Sequence, residues 1–251
     1  MTGMNSAAAE FARLHVAGDP LILYNIWDPG SAKAVASAGA RAIATGSWGV
    51  ACAAGYKDGE TLPLDFAIDT LVRIRGVTDL PVTIDLEAGY GVDVAQVARS
   101  VARAVDAGAV GINIEDKDPA TRAMFDSADA AARIAAAAST GLFVNARCDL
   151  FIVTPADGHD DALLDATLER ARAYADAGAD GLFVPFIKDA GLIERFCRQS
   201  PLPVNILMGA GVPDIAACAA LGVARISHGH GPWATAMQRL EDDARSVYGC
   251  S

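Results

Sequence analysis

Three acidic residues stand where two neighbouring strands of a predicted sheet end. Asp85 and Glu87 lie two residues apart at the end of the third apolar run, so the strand repeat predicts that they point to one side. Glu115 ends the fourth run. Converging carboxylates repel one another, and a hard divalent cation, Mg²⁺ or Mn²⁺, relieves that repulsion. The alternative is that these acids pair with Arg147 and Lys117, the obvious local cations, and hold loops together.

A second group of residues could bind an anionic substrate. Arg147 ends the fifth run, and its guanidinium suits a substrate carboxylate, although a structural bridge to Glu115 or Asp85 is the alternative. The turn Thr45–Ser47 ends the second run and offers backbone N–H groups and hydroxyls to another carboxylate or an oxyanion. Together with the acids, these residues predict a site for a small carboxylate and a metal ion.

Residues that end the seventh and eighth runs complete the expected pocket. We expect Asn205 and His228 to line the substrate site, and His230 to be exposed. A zinc site at the two histidines would need a third nearby ligand, which the sequence does not offer. Trp27 and Trp48 follow the first two runs, where walling the pocket and ordinary packing are equally good interpretations.

Eight short apolar or β-branched runs of strand length position these side chains. The runs are Leu21–Asn25, Ala42–Gly46, Pro81–Leu86, Gly111–Glu115, Leu142–Arg147, Gly181–Phe186, Pro203–Leu207 and Ala224–His228. Ala-rich stretches with apolar residues at helical spacing separate them, such as Val94–Ala107, Ala128–Ala138 and Leu163–Ala177. This alternation predicts parallel strands joined by crossover helices, an α/β fold.

A recurring glycine before the even-numbered strands favours a closed barrel. Gly39, Gly108, Gly178 and Gly222 precede the second, fourth, sixth and eighth runs, where each can end a helix in a left-handed cap. No Gly-x-Gly-x-x-Gly follows the first run, which removes the usual dinucleotide-binding alternative. We therefore predict one (β/α)₈ barrel over residues 1–251, with a generic open α/β sheet as the alternative. In such barrels the chemistry lies at the carboxyl ends of the strands.

Composition limits the partners and the compartment. A net charge of -11 makes nucleic acid and anionic membranes poor partners for the molecule as a whole. Five scattered cysteines without a Cys-x-x-Cys pair favour a reducing cytoplasm over a disulfide framework. No apolar run approaches the roughly 20 residues that span a bilayer, and Met1–Gly18 lacks the apolar region of a signal peptide.

Five segments, in this order, resemble the isocitrate lyase/phosphoenolpyruvate mutase superfamily over nearly the whole chain. They are 25–32 (NIWDPGSA), 55–60 (GYKDGE), 85–91 (DLEAGYG), 111–117 (GINIEDK) and 145–149 (NARCD). The resemblance implies a (β/α)₈ barrel, commonly a dimer or tetramer that exchanges its last helix. It also implies an enzyme that uses Mg²⁺ on α-oxo or 2-hydroxy carboxylates and acts on C–C or P–C bonds through an enolate-like intermediate.

The resemblance assigns roles to the acids. Asp85 resembles the direct metal ligand, and Asp58, Glu87 and Glu115 resemble the acids that hold the water ligands of the ion. A metal chelated by the substrate stabilises charge on the substrate oxygen as the bond breaks. We expect Asp58, Glu115 and Arg147 to be the catalytic residues.

The resemblance also assigns the substrate contacts. Thr45, Gly46 and Ser47 resemble the turn that receives the substrate carboxylate and its oxyanion, and Arg147 resembles the arginine clamp. We expect the substrate to be a small carboxylate and the protein to be a homo-oligomer. Because the chain given ends at Ser251, soon after a predicted helix Ala234–Val247, the exchanged helix is expected to be short or missing.

The loop after the fourth strand departs from the family pattern. The lyases carry a Lys-Lys/Arg-Cys-Gly-His loop whose Cys is an acid/base, whereas residues 116–125 contain neither Cys nor His. Mutases and phosphonopyruvate hydrolases have a Lys and an Asn there, and the matching positions are Ala120 and Arg122. A metal site without this gate still suits decarboxylation or hydrolysis of an oxaloacetate-like acid.

Two other functions compete with a metal-dependent lyase, mutase or hydrolase. A Schiff-base aldolase needs a desolvated lysine, and the four lysines, Lys33, Lys57, Lys117 and Lys188, all lie outside the predicted strands. A non-catalytic carboxylate-binding barrel is the other alternative, since the gate residues of the lyases are missing.

Overall fold

The computed structural model describes residues 4–249 and contains eight strands. They are β1 (Leu21–Leu23), β2 (Ile43–Ala44), β3 (Val82–Asp85), β4 (Gly111–Glu115), β5 (Phe143–Arg147), β6 (Gly181–Val184), β7 (Val204–Leu207) and β8 (Arg225–Ser227). Each strand falls within, or coincides with, one of the runs marked in the sequence. The apolar, β-branched composition that defines those runs is therefore what forms the sheet.

Eleven α-helices are present between residues 4 and 249. They are α1 (Ser6–Ala12), α2 (Pro29–Ser37), α3 (Ser47–Ala53), α4 (Leu64–Arg75), α5 (Val94–Asp106), α6 (Ser127–Ala138), α7 (Leu150–Val153), α8 (Asp161–Asp176), α9 (Ala190–Gln199), α10 (Ile215–Ala220) and α11 (Gly231–Tyr248). The last helix has 18 residues, longer than the predicted Ala234–Val247. Cys250, one of the five cysteines considered above, lies outside the described residues.

The strands form one parallel sheet that closes on itself. Hydrogen-bonded neighbours run in the order β1-β8-β7-β6-β5-β4-β3-β2. The two ends of this order meet at one parallel bridge between Ile26 and Thr45, where Ile26 N–H donates to Ala44 O at 2.8 Å and Gly46 N–H donates to Ile26 O at 3.1 Å. The predicted (β/α)₈ barrel is confirmed, and the open sheet is excluded.

Glycines end the helices that lead into the even-numbered strands, as predicted. Gly39, Gly108, Gly178 and Gly222 all have φ between 89° and 94°. A side chain at these positions would strain the backbone, so glycine lets each helix stop and the chain enter the next strand.

Helices cover the outside of the barrel with an apolar face. In α5, for example, Val97, Val101 and Ala104 recur at helical spacing and are fully buried against the sheet. A second, smaller core fills the amino-terminal end of the barrel, where α1 inserts Phe11 against Phe143 of β5. That end is therefore plugged by side chains, which leaves the opposite end as the place for a site.

Within residues 4–249 no helix combines the length and the apolar character needed to span a bilayer. The four cysteines in this range, Cys52, Cys148, Cys197 and Cys218, are free thiols.

Candidate active site

A cavity of about 260 Å³ opens at the carboxyl ends of the strands. Its charged lining residues are Asp58, Asp85, Glu87, Glu115, Lys117, Arg122 and Arg147. Its apolar lining residues include Trp48, Ile152, Phe183, Pro185, Phe186 and Leu207. Trp48 thus walls the pocket, whereas Trp27 packs against the core.

Asp85 is held at the end of β3 by the neighbouring turn. The Asp85 N–H donates to Thr45 Oγ1 at 3.0 Å, and the Ser47 N–H donates to Asp85 Oδ2 at 3.3 Å. Burial raises the pKa of Asp85, and the guanidinium of Arg147 opposes that rise. Thr45 therefore positions the acid from below the cavity, while Gly46 and Ser47 line the cavity itself.

Glu87 reaches the cavity by a different route from the one predicted. β3 ends at Asp85, and Glu87 lies beyond it with a left-handed φ of 48°, so the two-residue strand repeat does not explain its direction. Its carboxylate accepts from Glu60 N–H at 2.7 Å and from Tyr90 Oη at 3.0 Å. Glu60 and Tyr90 also have positive φ. This interlocked pair of loops holds the strained backbone that aims Glu87 inward.

Glu87 lies among other acidic side chains. Burial raises its pKa to about 8, and the nearby carboxylates of Asp58 and Asp85 add to that rise. A carboxyl group in this state ionises at neutral pH only when positive charge is brought close to it.

Glu115 is paired with protein cations, which was the alternative interpretation of the acids. In the sheet register Glu115 lies beside Arg147, and Arg147 Nη1 is 2.8 Å from Glu115 Oε2. Lys117 Nζ lies 3.9 Å from its other oxygen. Burial raises the pKa of Glu115 to about 7 against the effect of Arg147. Glu115 therefore has little capacity left for direct metal ligation.

Asp149, which the sequence reasoning left without a role, organises the cations of the cavity. This fully buried carboxylate accepts from Arg147 Nε at 2.6 Å and Nη2 at 3.0 Å, and it forms a close contact with Lys117 Nζ. Burial opposes charge on Arg147, but Glu115 and Asp149 outweigh it and hold its pKa above the usual range. Two sequence signals could have pointed to it: its place two residues after Arg147 and its position in the segment 145–149 (NARCD).

Asp116 fixes Asp149 from the outside of the barrel. Its Oδ1 accepts from the Asp149 N–H at 2.8 Å, and its Oδ2 accepts from Tyr174 Oη at 2.6 Å and Arg170 Nη1 at 3.2 Å. The orientation of Arg147 is thus set by two successive buried carboxylates. This is the rigid support that a substrate clamp requires.

Asp58 has a buried oxygen without a protein partner. Among the described residues, its Oδ1 is one of five buried side-chain atoms that form no hydrogen bond. No group of three or more His, Cys, Asp or Glu residues between residues 4 and 249 is arranged to hold a metal by itself. An unsatisfied carboxylate oxygen beside Asp85 and Glu87 nevertheless fits a hard cation such as Mg²⁺, which is usually held by one or two carboxylates and several waters.

Of the two histidines, His230 is exposed as predicted, but it is His230 and not His228 that lines the cavity. His230 lines the cavity and its ring is 5.5 Å from that of Trp48. His228 does not line the cavity: its ring lies 5.1 Å from Tyr24, and its Nδ1 contacts Leu23 O at 3.3 Å. The reason is strand alternation, because Ser227 points inward and the next residue therefore points outward.

Two buried asparagines stabilise the same end of the barrel. Asn205, expected to contact substrate, is buried beneath the cavity and bonds to Ser227, with Nδ2 3.2 Å from Oγ. Asn25, which the sequence analysis did not single out, donates to Thr45 O at 2.9 Å and accepts from the N–H groups of His228 and Gly229.

The loop after β4 covers part of the cavity. An isolated antiparallel bridge joins Lys117 to Met124, and Pro119 and Arg122 face the cavity from this loop. Lys117 is ion-paired with Asp149 and so is a poor Schiff-base nucleophile, while Lys188 is exposed beside Phe186.

Comparison with known proteins agrees with this geometry. The model of a family described as phosphoenolpyruvate phosphomutase matches residues 11–248. A crystal structure from Burkholderia cenocepacia J2315, provisionally assigned as a phosphonomutase, is 49% identical with a TM-score of 0.93, and covers 98% of this chain and 99% of that chain. An uncharacterised protein of Mycobacterium tuberculosis H37Rv is 37% identical over 94% of this chain and 88% of its own length.

Two further relatives have named activities. The 2-methylisocitrate lyase of Salmonella typhimurium is 33% identical over 74% of this chain and 64% of the lyase. Phosphonopyruvate hydrolase, solved with oxalate and Mg²⁺, is 21% identical with a TM-score of 0.84 over 98% of this chain and 88% of that chain, a likeness that shows the fold alone.

Fold and site together define a barrel enzyme with a carboxylate- and arginine-lined centre at its strand ends. The chain belongs to the isocitrate lyase/phosphoenolpyruvate mutase superfamily. Members of this superfamily are lyases, mutases and hydrolases that act on small carboxylates, and this chain is an enzyme of that kind.

Proposed function

We propose that the enzyme cleaves a C–C bond in a small 2-oxo or 2-hydroxy carboxylate and depends on Mg²⁺, with Mn²⁺ as the alternative ion. The observation that carries this proposal is that acids with free acceptor atoms and a firmly held cation line the same cavity. Asp58 and Asp85 retain unused acceptor capacity, and Arg147 stands beside them as a rigidly held cation. This arrangement suits a cation and a substrate carboxylate that are bound side by side.

The acids would hold the ion. Asp85 would be the direct ligand, while Asp58, Glu87 and Glu115 would hold the ion through water. When bound, Mg²⁺ would supply positive charge next to the substrate oxygen on which negative charge develops. The hydrogen bonds from Glu60 and Tyr90 keep Glu87 in place for this role.

The cations of the cavity would orient the substrate. Arg147 would bind the substrate carboxylate. The turn Gly46–Ser47 lines the cavity beside it, but the N–H groups of this turn are already donated to Ile26 O and Asp85 Oδ2, which leaves them unavailable for the role predicted from the sequence. The apolar lining residues, which include Phe183 and Leu207, would exclude water and strengthen these charge interactions. Asp58 would take or return a proton at the substrate, since its buried Oδ1 is not bonded to protein.

A turnover assay with oxaloacetate, 2-methylisocitrate and phosphonopyruvate tests the proposal. We expect product from a C–C substrate in Mg²⁺, none in EDTA, and at least a 100-fold lower kcat/KM in Asp85→Asn. Calorimetry should show weaker Mg²⁺ binding by that variant. Asp180→Asn is the matched control, because Asp180 is a half-buried acid at the amino end of β6, where it accepts from Val144 N–H at 2.9 Å. Unchanged Mg²⁺ affinity in Asp85→Asn would refute the site.

A second candidate is P–C bond chemistry. The 49% identity to a provisionally assigned phosphonomutase favours it, as does Arg122, a cation in the covering loop that could meet a phosphonate. Turnover of phosphonopyruvate alone would select this candidate. Oxalate binding without turnover of any substrate would instead favour the non-catalytic alternative.

We also propose a homo-oligomer in the cytoplasm. The terminal helix α11 leaves Leu240 and Val247 exposed at 62% and 82%, which is unfavourable for a helix in a monomer. Light scattering should give a mass of at least two chains for the wild type, and a lower mass for Leu240→Asp. The free thiols support the reducing compartment.

A further inference from the structure

Arg225 is a cation buried inside the barrel, and it has no carboxylate partner among residues 4–249. It begins β8, is 1% exposed, and makes one side-chain hydrogen bond, from Nη2 to Asn113 Oδ1 at 3.0 Å. Its Nε and Nη1 are buried and bond to none of residues 4–249. Burial lowers its pKa to about 9, with Asp85 opposing the shift, so the group stays charged at neutral pH.

Arg225 determines which way the amide of Asn113 faces. The Asn113 Oδ1 accepts from Arg225 Nη2 and also from Asn145 Nδ2 at 2.9 Å. A guanidinium can only donate, so the oxygen of Asn113 must face Arg225 and the amide cannot turn over. The opposite edge of the amide, Nδ2, has two N–H donors and no protein acceptor among the described residues.

The second contact on Asn113 is also fixed by the sequence. Asn145 is paired in register with Asn113 on one side and with Gly181 on the other. A Cβ at position 181 would lie 2.8 Å from Asn145 Oδ1, so only glycine leaves room for the Asn145 side chain. The orientation of Asn113 is therefore set by a cation, an amide and a missing side chain on three different strands.

Asn113 lines the cavity floor next to Asp85, its register neighbour on β3. We propose that Asn113 Nδ2 donates a hydrogen bond to a negatively charged oxygen of the bound carboxylate substrate, and that Arg225 is the positioning residue that directs this donor. An anionic oxygen there would also gain from the buried charge of Arg225, since a low-dielectric interior screens it weakly.

This inference rests on the proposed function and adds to it two residues at the bottom of the cavity that favour an anionic oxygen. The acids suit the cation, whereas Asn113 and Arg225 suit the oxygen atoms of the ligand. Oxalate is the probe, because it presents carboxylate oxygens without undergoing a reaction at this site.

The decisive variant is Asn113→Asp. The new carboxylate can still accept from Arg225 and Asn145, so we expect the melting temperature to be retained. It cannot donate to the ligand, however, and it places negative charge beside the oxalate. We expect oxalate affinity, measured by calorimetry in saturating Mg²⁺, to fall about 10- to 100-fold while Mg²⁺ affinity is not reduced. Thr83→Val is the matched control, because Thr83 has a buried hydroxyl without a partner in the same barrel interior and does not line the cavity.

A second pair of variants tests Arg225 itself. Arg225→Met removes one of the two donors that hold the Asn113 amide, together with the buried charge, and should weaken oxalate binding. Arg225→Lys keeps a donor and should recover most of the affinity. A purely structural role would change the melting temperature of both variants and leave oxalate affinity alone. Wild-type oxalate affinity in both Asn113→Asp and Arg225→Met would overturn the inference. Failure of the wild type to bind oxalate would overturn the proposed function as well.

Discussion

The two ends of the barrel treat buried ionisable groups in different ways. At the carboxyl ends of the strands, burial and neighbouring acids raise the pKa of Glu87 to about 8. At the amino ends, burial lowers the pKa of His15 to about 3, and its ring stacks on Phe143 at 4.2 Å between centroids. Both shifts favour the neutral form of the group.

The difference lies in what surrounds each group. His15 is enclosed by the plug of α1, where Nδ1 donates to Phe11 O at 3.0 Å, and it does not line the cavity. The buried charge of Arg225 adds to the effect of burial on its pKa. Glu87 faces a cavity with Asp58 and Asp85, so a cation can enter and reverse the effect of burial. Buried polar groups at the amino ends of the strands thus contribute to stability, whereas those at the carboxyl ends remain available for binding.

Arg147→Met should have the largest effect. It leaves Glu115 and Asp149 short of positive charge, so we expect a loss of about 3–5 kcal/mol in the free energy of unfolding. It should also remove measurable turnover, because the substrate clamp is gone. Urea unfolding and kcat/KM measure the two effects, and a stable, active variant would contradict the assigned role.

Phe11→Ala tests the opposite end. Removing this fully buried ring from the α1 plug should cost about 3–4 kcal/mol in unfolding free energy. Because the plug lies away from the cavity, kcat/KM of the folded enzyme should stay within about twofold of wild type. A large fall in kcat/KM without unfolding would show that the two ends are coupled.

His15→Phe should change the acid sensitivity of the protein. The folded pKa of His15 is depressed below its unfolded value of 6.5, so its neutral form contributes stability that is lost as pH falls from about 6.5 towards 3. Phenylalanine does not titrate, so the variant lacks this pH-dependent contribution. Between pH 6.5 and pH 3 its free energy of unfolding should fall by less than that of the wild type, with a difference on the order of 3 kcal/mol. Unfolding curves at several pH values measure the difference. Parallel curves for the two proteins would contradict the buried neutral histidine.

Glu87→Gln should have the smallest effect on the free energy of unfolding, and its pH dependence should be opposite to that of His15→Phe. The raised pKa of Glu87 means that metal-free wild type loses stability as pH rises from about 4.5 to about 8. Near pH 8.5 the variant should be more stable than wild type, on the order of 2 kcal/mol, and the two should converge at low pH. Saturating Mg²⁺ should narrow the difference in thermal unfolding, because the cation favours the carboxylate. A difference that Mg²⁺ leaves unchanged would argue against the ion binding beside Glu87.

The strands and their order could be predicted because apolar runs and glycine caps are local signals. The residues at which several strands end could not be predicted in this way. β6, for instance, ends at Val184 instead of the predicted Phe186, which has a left-handed φ of 67°. Pro185 and Phe186, which follow the end of β6, line the cavity, whereas Leu86 and His228, which follow β3 and β8, do not.

The acids and Arg147 were identified from their types at strand ends, whereas Asn113 and Arg225 were not. A mid-strand asparagine has no distinct sequence signal, and Arg225 begins its strand, at the opposite end from the residues that are expected to carry the chemistry. Their proximity depends on the register between distant strands, and 112 residues separate them in the chain. Sequence periodicity gives the face of a strand but not its register against remote neighbours.

The single bridge that closes the barrel has a consequence for aggregation. Asn25 joins β1, β2 and β8 at that closure through three hydrogen bonds from one amide. A barrel wall has no free strand edge, and exposed edges are where separate chains pair with one another. The backbone bridge that closes this wall, which the hydrogen bonds of Asn25 support, therefore also removes the free edges on which strands of a neighbouring molecule could pair.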